Sequence, residues 1–249
     1  GNFYVAGGVS GGDNIIYVIN SEGELVRQFN QFGGSNFGYR DLAFDGNLLW
    51  GIDENMVHGF TIDGQLDVTF NAPVGSARGI TWDRENELLW ICGITTNIFG
   101  VNRDGDLIQQ IARPADVRMY GLAWYPDDAD GYKLYMFCSN GELNRQIWKF
   151  NLETEEVLFV AEPDVEGTAG AATVTRAWDP FSWVFMGLTN SPDRIEIWHL
   201  DAPTGWVDIN PAEGVIEPGD EIDLTVELNT FSFPVDIEFT VDLVFDHDG

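Results

Sequence analysis

Arg40 and Arg78 each stand four residues before an aromatic, Phe44 and Trp82, at matching points of two related phrases, YRDLAF and ARGITW. Tyr120 takes the same place before Trp124 in MYGLAW. In a chain with ten arginines and two lysines against 41 acids, a repeated arginine is a pointed choice. A guanidinium presents a planar fork that binds carboxylates and other oxyanions through paired hydrogen bonds. A tyrosine beside it supplies a stacking or hydrogen-bonding wall. The same arginines could instead serve in ion pairs with the adjoining Asp41 or Asp83. The expected ligand-binding residues are Arg40, Arg78 and Tyr120, and the expected ligand is an anionic small molecule, a glycan or a protein.

Other stretches carry weaker chemistry. GVSGG (Gly8–Gly12) satisfies the G-x-S-x-G pattern of a serine nucleophile, but that elbow requires a strand, a turn and a helix. Here it falls between two strand-like runs and reads as a glycine-rich loop. PDDADGY (Pro126–Tyr132) has the acid density of a calcium loop. It places Pro126 where a ligand oxygen is needed and lacks the closing bidentate acid, so a surface turn is expected. The histidines, His58, His199 and His247, are not at metal-ligand spacing, and the two cysteines, Cys92 and Cys138, cannot alone make a zinc site. Both cysteines are expected as buried thiols, with a disulfide between them the alternative that their opposite parity on adjacent second strands leaves open. No catalytic residue and no metal ligand is assigned; no cofactor is expected, with calcium the one ion the acidic surface leaves open.

The net charge of −29 repels phosphate backbones and anionic lipid, which argues against nucleic-acid partners. Membrane insertion is not expected, since no apolar run reaches spanning length. The acids are scattered along the chain and suit solubility in a salty exterior, where counterions screen self-repulsion.

The elements that must position these residues are set by a repeat. Gly23, Gly64 and Gly105 lie 41 residues apart in NSEGELV, TIDGQLD and NRDGDLI. Each glycine sits between two strand-like runs, where a tight hairpin needs a positive φ. One unit reads as four strands, such as RGITWD, LLWICG, NIFGVNR and DLIQQI. The second-strand position recurs as Tyr4, Trp50, Trp90, Tyr135 and Val184. Four short strands in about 40–50 residues is the mark of a β-propeller blade. The fold class expected is all-β, with about five four-stranded blades over residues 1–205. The first blade is incomplete, holding only its last three strands, and TGWVDI falls where a fourth strand of the fifth blade would lie.

From residue 206 the blade phrase stops. Ile222, Leu224, Val226 and Leu228 alternate with polar residues, as do Ile237, Phe239, Val241 and Leu243. Residues 206–249 therefore read as a partial Ig-like β segment. About 44 residues is less than half of the roughly 100 that a complete sandwich uses. The apolar face is expected to pack on the propeller or on a second chain, and self-association through these strands follows from the latter. The span suggests a fragment of a longer protein.

Two stretches carry a resemblance. GLAWYPDDADGYKLYMFCSNG with IWKFNLETEE, and AWDPFSWVFMGLTNSPDRIEIWHLD, resemble uncharacterised secreted bacterial β-propellers that carry a C-terminal Ig-like module. The resemblance covers most of residues 38–249. It implies a secreted or cell-surface location and no particular activity. SARGITW (Ser76–Trp82) is also similar to the Asp box of sialidase propellers, but Arg78 stands where that box has its aspartate. The function expected is a non-catalytic extracellular binding or interaction scaffold, with its ligand at the mouth of the propeller channel. The alternative is a propeller hydrolase, either a metal-dependent lactonase-like enzyme or a glycan-cleaving one.

Overall fold

The computed structural model describes residues 1–8, 13–114, 117–139, 145–179, 182–201, 206–228, 240–241 and 243–244. Ser10 of the glycine-rich loop, His247, Ile237 and Phe239 lie outside the described residues. Five antiparallel sheets surround one axis as a five-blade β-propeller. The first blade holds β1 (Asn2–Gly8), β2 (Asn14–Asn20) and β3 (Leu25–Asn30); the second holds β4 (Leu42–Phe44), β5 (Leu48–Asp53), β6 (Met56–Thr61) and β7 (Leu66–Asn71). The third holds β8 (Ala77–Asp83), β9 (Leu88–Gly93), β10 (Ile98–Val101) and β11 (Leu107–Ile111). The fourth holds β12 (Arg118–Trp124), β13 (Leu134–Ser139), β14 (Gln146–Phe150) and β15 (Val157–Ala161). The fifth holds β16 (Thr168–Thr175), β17 (Val184–Asn190) and β18 (Arg194–His199). Strands are listed from the axis outward.

The repeated glycines do what their spacing implied. Gly23, Gly64 and Gly105 adopt φ values of 81°, 80° and 88°. Each donates its N–H to the carbonyl three residues earlier, on Asn20, Thr61 and Asn102. A second device repeats where the inner strand turns into the second. Asp83 accepts the N–H groups of Glu85 and Asn86 and the indole N–H of Trp90 at 3.2 Å. Asp128 accepts from Asp130, Tyr132 and the hydroxyl of Tyr135 at 2.7 Å. One acid thus folds the turn and satisfies the buried polar tip of the next strand's aromatic. Some of the chain's acidity is structural.

The second-strand aromatics Trp50, Trp90 and Tyr135 are buried between blades. Gly59 and Gly100 stand opposite the two tryptophans and leave room for their rings. Each of four seams is filled by one apolar cluster, centred for example on Trp50 with Ile80, or on Phe137 with Phe185. Cys92 and Cys138 share such a cluster between the third and fourth blades as free thiols, and burial pushes both thiols up in pKa.

One expectation is corrected. The TGWVDI segment does not supply the fifth blade's outer strand: β19 (Val207–Asn210) pairs with β20 (Thr225–Leu228) in a sheet of its own. Its edge hydrogen bonds are met by the alternating strand that follows, and β18 is the outermost strand of its blade among the described residues. Of the C-terminal apolar face, expected on the propeller or on a second chain, the described members Ile222, Leu224, Val226, Leu228, Val241 and Leu243 are exposed in the single chain, so among the described residues the propeller does not cover it.

Candidate ligand-binding site at the propeller axis

The four inner strands β4, β8, β12 and β16 converge on one carboxylate. Asp41, almost fully buried, accepts backbone N–H bonds from Leu42 (3.1 Å), Ile80 (3.1 Å), Leu122 (2.9 Å) and Ala172 (3.3 Å). These four donors hold one repeat position, so a single side chain bonds to an amide at the same point of each inner strand. Burial pushes the Asp41 carboxyl up in pKa, and the four N–H bonds oppose that by favouring the charged form. At this level the axis is closed by a polar knot.

Close convergence explains the small residues beside it. Asp41 is matched in the repeat by Gly79, Gly121 and Ala171. A Cβ on Gly121 would lie 2.5 Å from the backbone nitrogen of Ala172, and one on Gly79 would lie 2.9 Å from Leu122 Cγ.

One residue earlier come Arg40, Arg78, Tyr120 and Gly170, at the same end of the four inner strands. Arg40, Arg78 and Tyr120 are half-buried. The Arg78 guanidinium lies over the Tyr120 ring, 4.6 Å from its centre, and the Arg40 guanidinium lies over Phe37 at 4.3 Å. The two cations also feel each other. Burial and the nearby Arg40 charge both lower the pKa of Arg78, while Tyr120 and Asp41 raise it. Burial lowers that of Arg40, opposed by Glu54.

Among the described residues, neither arginine has a carboxylate oxygen within 4.0 Å, although other arginines do. The acids that could have neutralised them are used elsewhere: Asp41 on the four amides and Asp83 on its turn and Trp90. Arg78 Nε is buried without a hydrogen-bond partner. Two guanidinium groups that feel each other's charge, one with an unmet buried donor, supply the kind of donors that an oxyanion uses.

Asp41 and Phe37 are the members of this site that sequence reasoning did not single out. Asp41 had entered only as an ion-pair partner for Arg40. An acid where the other repeats have glycine or alanine was the available signal. Phe37 lies outside the repeated phrase and left no signal.

The other chemical candidates that lie among the described residues have structural partners. Lys149 Nζ lies 3.0 Å from Asp128 and 2.8 Å from Asp130, so the acid-rich turn meets an ammonium. His58 is packed against the rings of Phe32 and Tyr39. His199 Nδ1 lies 2.9 Å from Ser182 Oγ and 3.7 Å from Asp179. A nucleophilic relay needs the serine and the acid on opposite imidazole nitrogens. Here one nitrogen faces both, and the fully buried Ser182 hydroxyl donates to Asp201 at 2.9 Å. Among the described residues no three His, Cys, Asp or Glu side chains gather as metal ligands.

No family model matches the chain and no curated protein matches it. Among solved structures, the chain is similar to glutaminyl cyclase of Myxococcus xanthus. The TM-score is 0.54 at 14% identity, over 81% of this chain and 88% of that one. It also aligns with virginiamycin B lyase of Staphylococcus aureus (TM-score 0.45, 15% identity, 82% and 71% of the two chains). A Bacteroides caccae protein of unknown function gives a TM-score of 0.43 at 15% identity, over 80% and 74%. At 14% identity the likeness to the cyclase shows the fold alone.

Proposed function

We propose that the protein is a non-catalytic binding module that captures an oxyanion at the axial mouth of its propeller. Arg40 and Arg78 supply the charge and the forked donors, and Tyr120 holds Arg78 flat. The observation that carries this reading is the pair of neighbouring guanidinium groups with no carboxylate partner among the described residues, in a chain of net charge −29. The chemistry fits a carboxylate on a small molecule, on an acidic glycan or on a protein. Calorimetric titration with small carboxylates and uronic acids tests it. Saturable binding is expected, lost in Arg78→Ala and in Arg40→Ala and retained in Tyr120→Phe. Binding unchanged in both arginine variants would sink the assignment.

The hydrolase alternative draws on no observation of comparable weight, and its test is direct assay of lactone and glycan cleavage. We further read residues 206–249 as the opening of an Ig-like module and the protein as secreted or cell-surface. The support is the propeller-then-hairpin order and the acidic composition. The exposed β20 face supports self-association through the C-terminal strands.

A further inference from the structure

Around Asp41 there are amides from four inner strands, yet five blades surround the axis. The first sheet is the one that contributes none. Its strand nearest the axis, β1, carries Tyr4 in the column of Trp50, Trp90 and Tyr135, so β1 is a second strand by register. In the second, third and fourth blades the second strand is hydrogen-bonded on both edges. β1 pairs with β2 alone among the described residues, and its other edge faces the axis.

Burial follows the same division. Every residue of β5, β9 and β13 is buried, whereas no residue of β1 is. The four apolar clusters fill the seams from the first blade round to the fifth. The seam that would close the ring, between the fifth blade and the first, holds instead a cavity of about 520 Å³. Phe3 and Val5 of β1, Leu42 of β4, Ala172 and Thr173 of β16 and Met186 of β17 form its walls. Asp41 stands at its axial end.

An apolar slot with an open strand edge has two needs. Its walls call for apolar side chains, and the β1 edge calls for backbone donors and acceptors. A compact apolar molecule meets only the first. An extended peptide meets both, as in other cases of strand addition to a sheet edge.

We propose that this slot takes one extended polypeptide strand, antiparallel to β1, with the inner-strand pattern of Gly79–Trp82 (GITW) and Gly121–Trp124 (GLAW). The small first residue passes Asp41 and the aromatic reaches the outer seam. In each of the other four blades the inner strand is followed in the chain by the second strand it pairs with, antiparallel, and the β1 edge lacks that partner among the described residues. The occupant is an extended peptide of this small–apolar–apolar–aromatic pattern. Arg40 also lines the slot, but the inference rests on the β1 edge and the apolar walls and not on the arginine site.

The test adds a labelled peptide of the Met119–Tyr125 sequence (MYGLAWY) to the 249-residue chain and follows anisotropy and thermal unfolding. Saturable binding and a raised Tm are expected, with a scrambled peptide about tenfold weaker or worse. Thr173→Trp, which fills the slot from an exposed wall position, is expected to abolish binding; Val5→Trp replaces it should that variant not fold. The same phrase fused ahead of Asn2 through an Asn-Gly turn is expected to raise Tm and to block the free peptide. Equal binding of the scrambled peptide, or binding unaffected by the tryptophan substitutions, overturns the slot. A fused chain that still binds free peptide as before overturns the placement of the strand beside β1.

Discussion

At the scale of single residues, Asp41 and His58 are the most exacting. Asp41 is the acceptor for four buried N–H groups on four different strands, and each unmet buried donor costs about 1–3 kcal/mol. Asp41→Ala should therefore destabilise the protein by at least about 4 kcal/mol in urea unfolding, a loss outside the range of ordinary surface changes. Asp41→Asn keeps one acceptor oxygen and should lose less. His58 is held neutral: burial lowers its pKa from the ordinary 6.5, with Asp53 opposing. A depressed folded pKa means that the unfolded chain binds the extra proton first, so the stabilisation is complete above about pH 6.5 and is lost as pH falls through the folded value. Unfolding midpoints measured from pH 7.5 to 5 should decline, and His58→Phe should flatten that slope. The arginine position was legible in the sequence because a repeat makes equivalent sites visible. What the arginines bond to was not, because Asp41 and Asp83 had several partners within reach and only the fold decided among them.

At the scale of elements, the inner strands are governed by how closely they approach. Gly121 lies where β12 meets the backbone of β16, with 2.5 Å to Ala172 N for any added Cβ. Backbone cannot swing aside as a side-chain tip can. Gly121→Ala should cost about 1–3 kcal/mol by overpacking, whereas Gly34→Ala, with nothing within 4 Å, should be close to neutral in the same unfolding assay. The strands themselves were legible: hairpin glycines, alternating turns and aromatic second-strand positions are local signals. The misplaced element was TGWVDI. Its composition suits any edge strand, and whether it joins β18 or β20 is settled by competition between two available edges.

At the scale of the whole molecule, charge and closure dominate. A net charge of −29 on a compact fold is self-repulsive, and ions screen that repulsion with a Debye length of about 10 Å at 0.1 M. Raising sodium chloride from about 0.01 M to about 0.5 M should increase Tm, the reverse of what loss of surface ion pairs alone would produce; a flat or falling series would show that repulsion is not a governing term. Sedimentation across the same series reads self-association through β20. The repeat length, the four-strand unit, the blade register and the acidic surface were written in the sequence, because each arises from neighbours within about 40 residues. Tertiary structure alone decided three things: the convergence of four strands on Asp41, the lack of a carboxylate partner for Arg40 and Arg78 among the described residues, and the open seam beside β1. All three depend on groups brought together from blades far apart in the chain, where spacing along the sequence carries no information about distance in space.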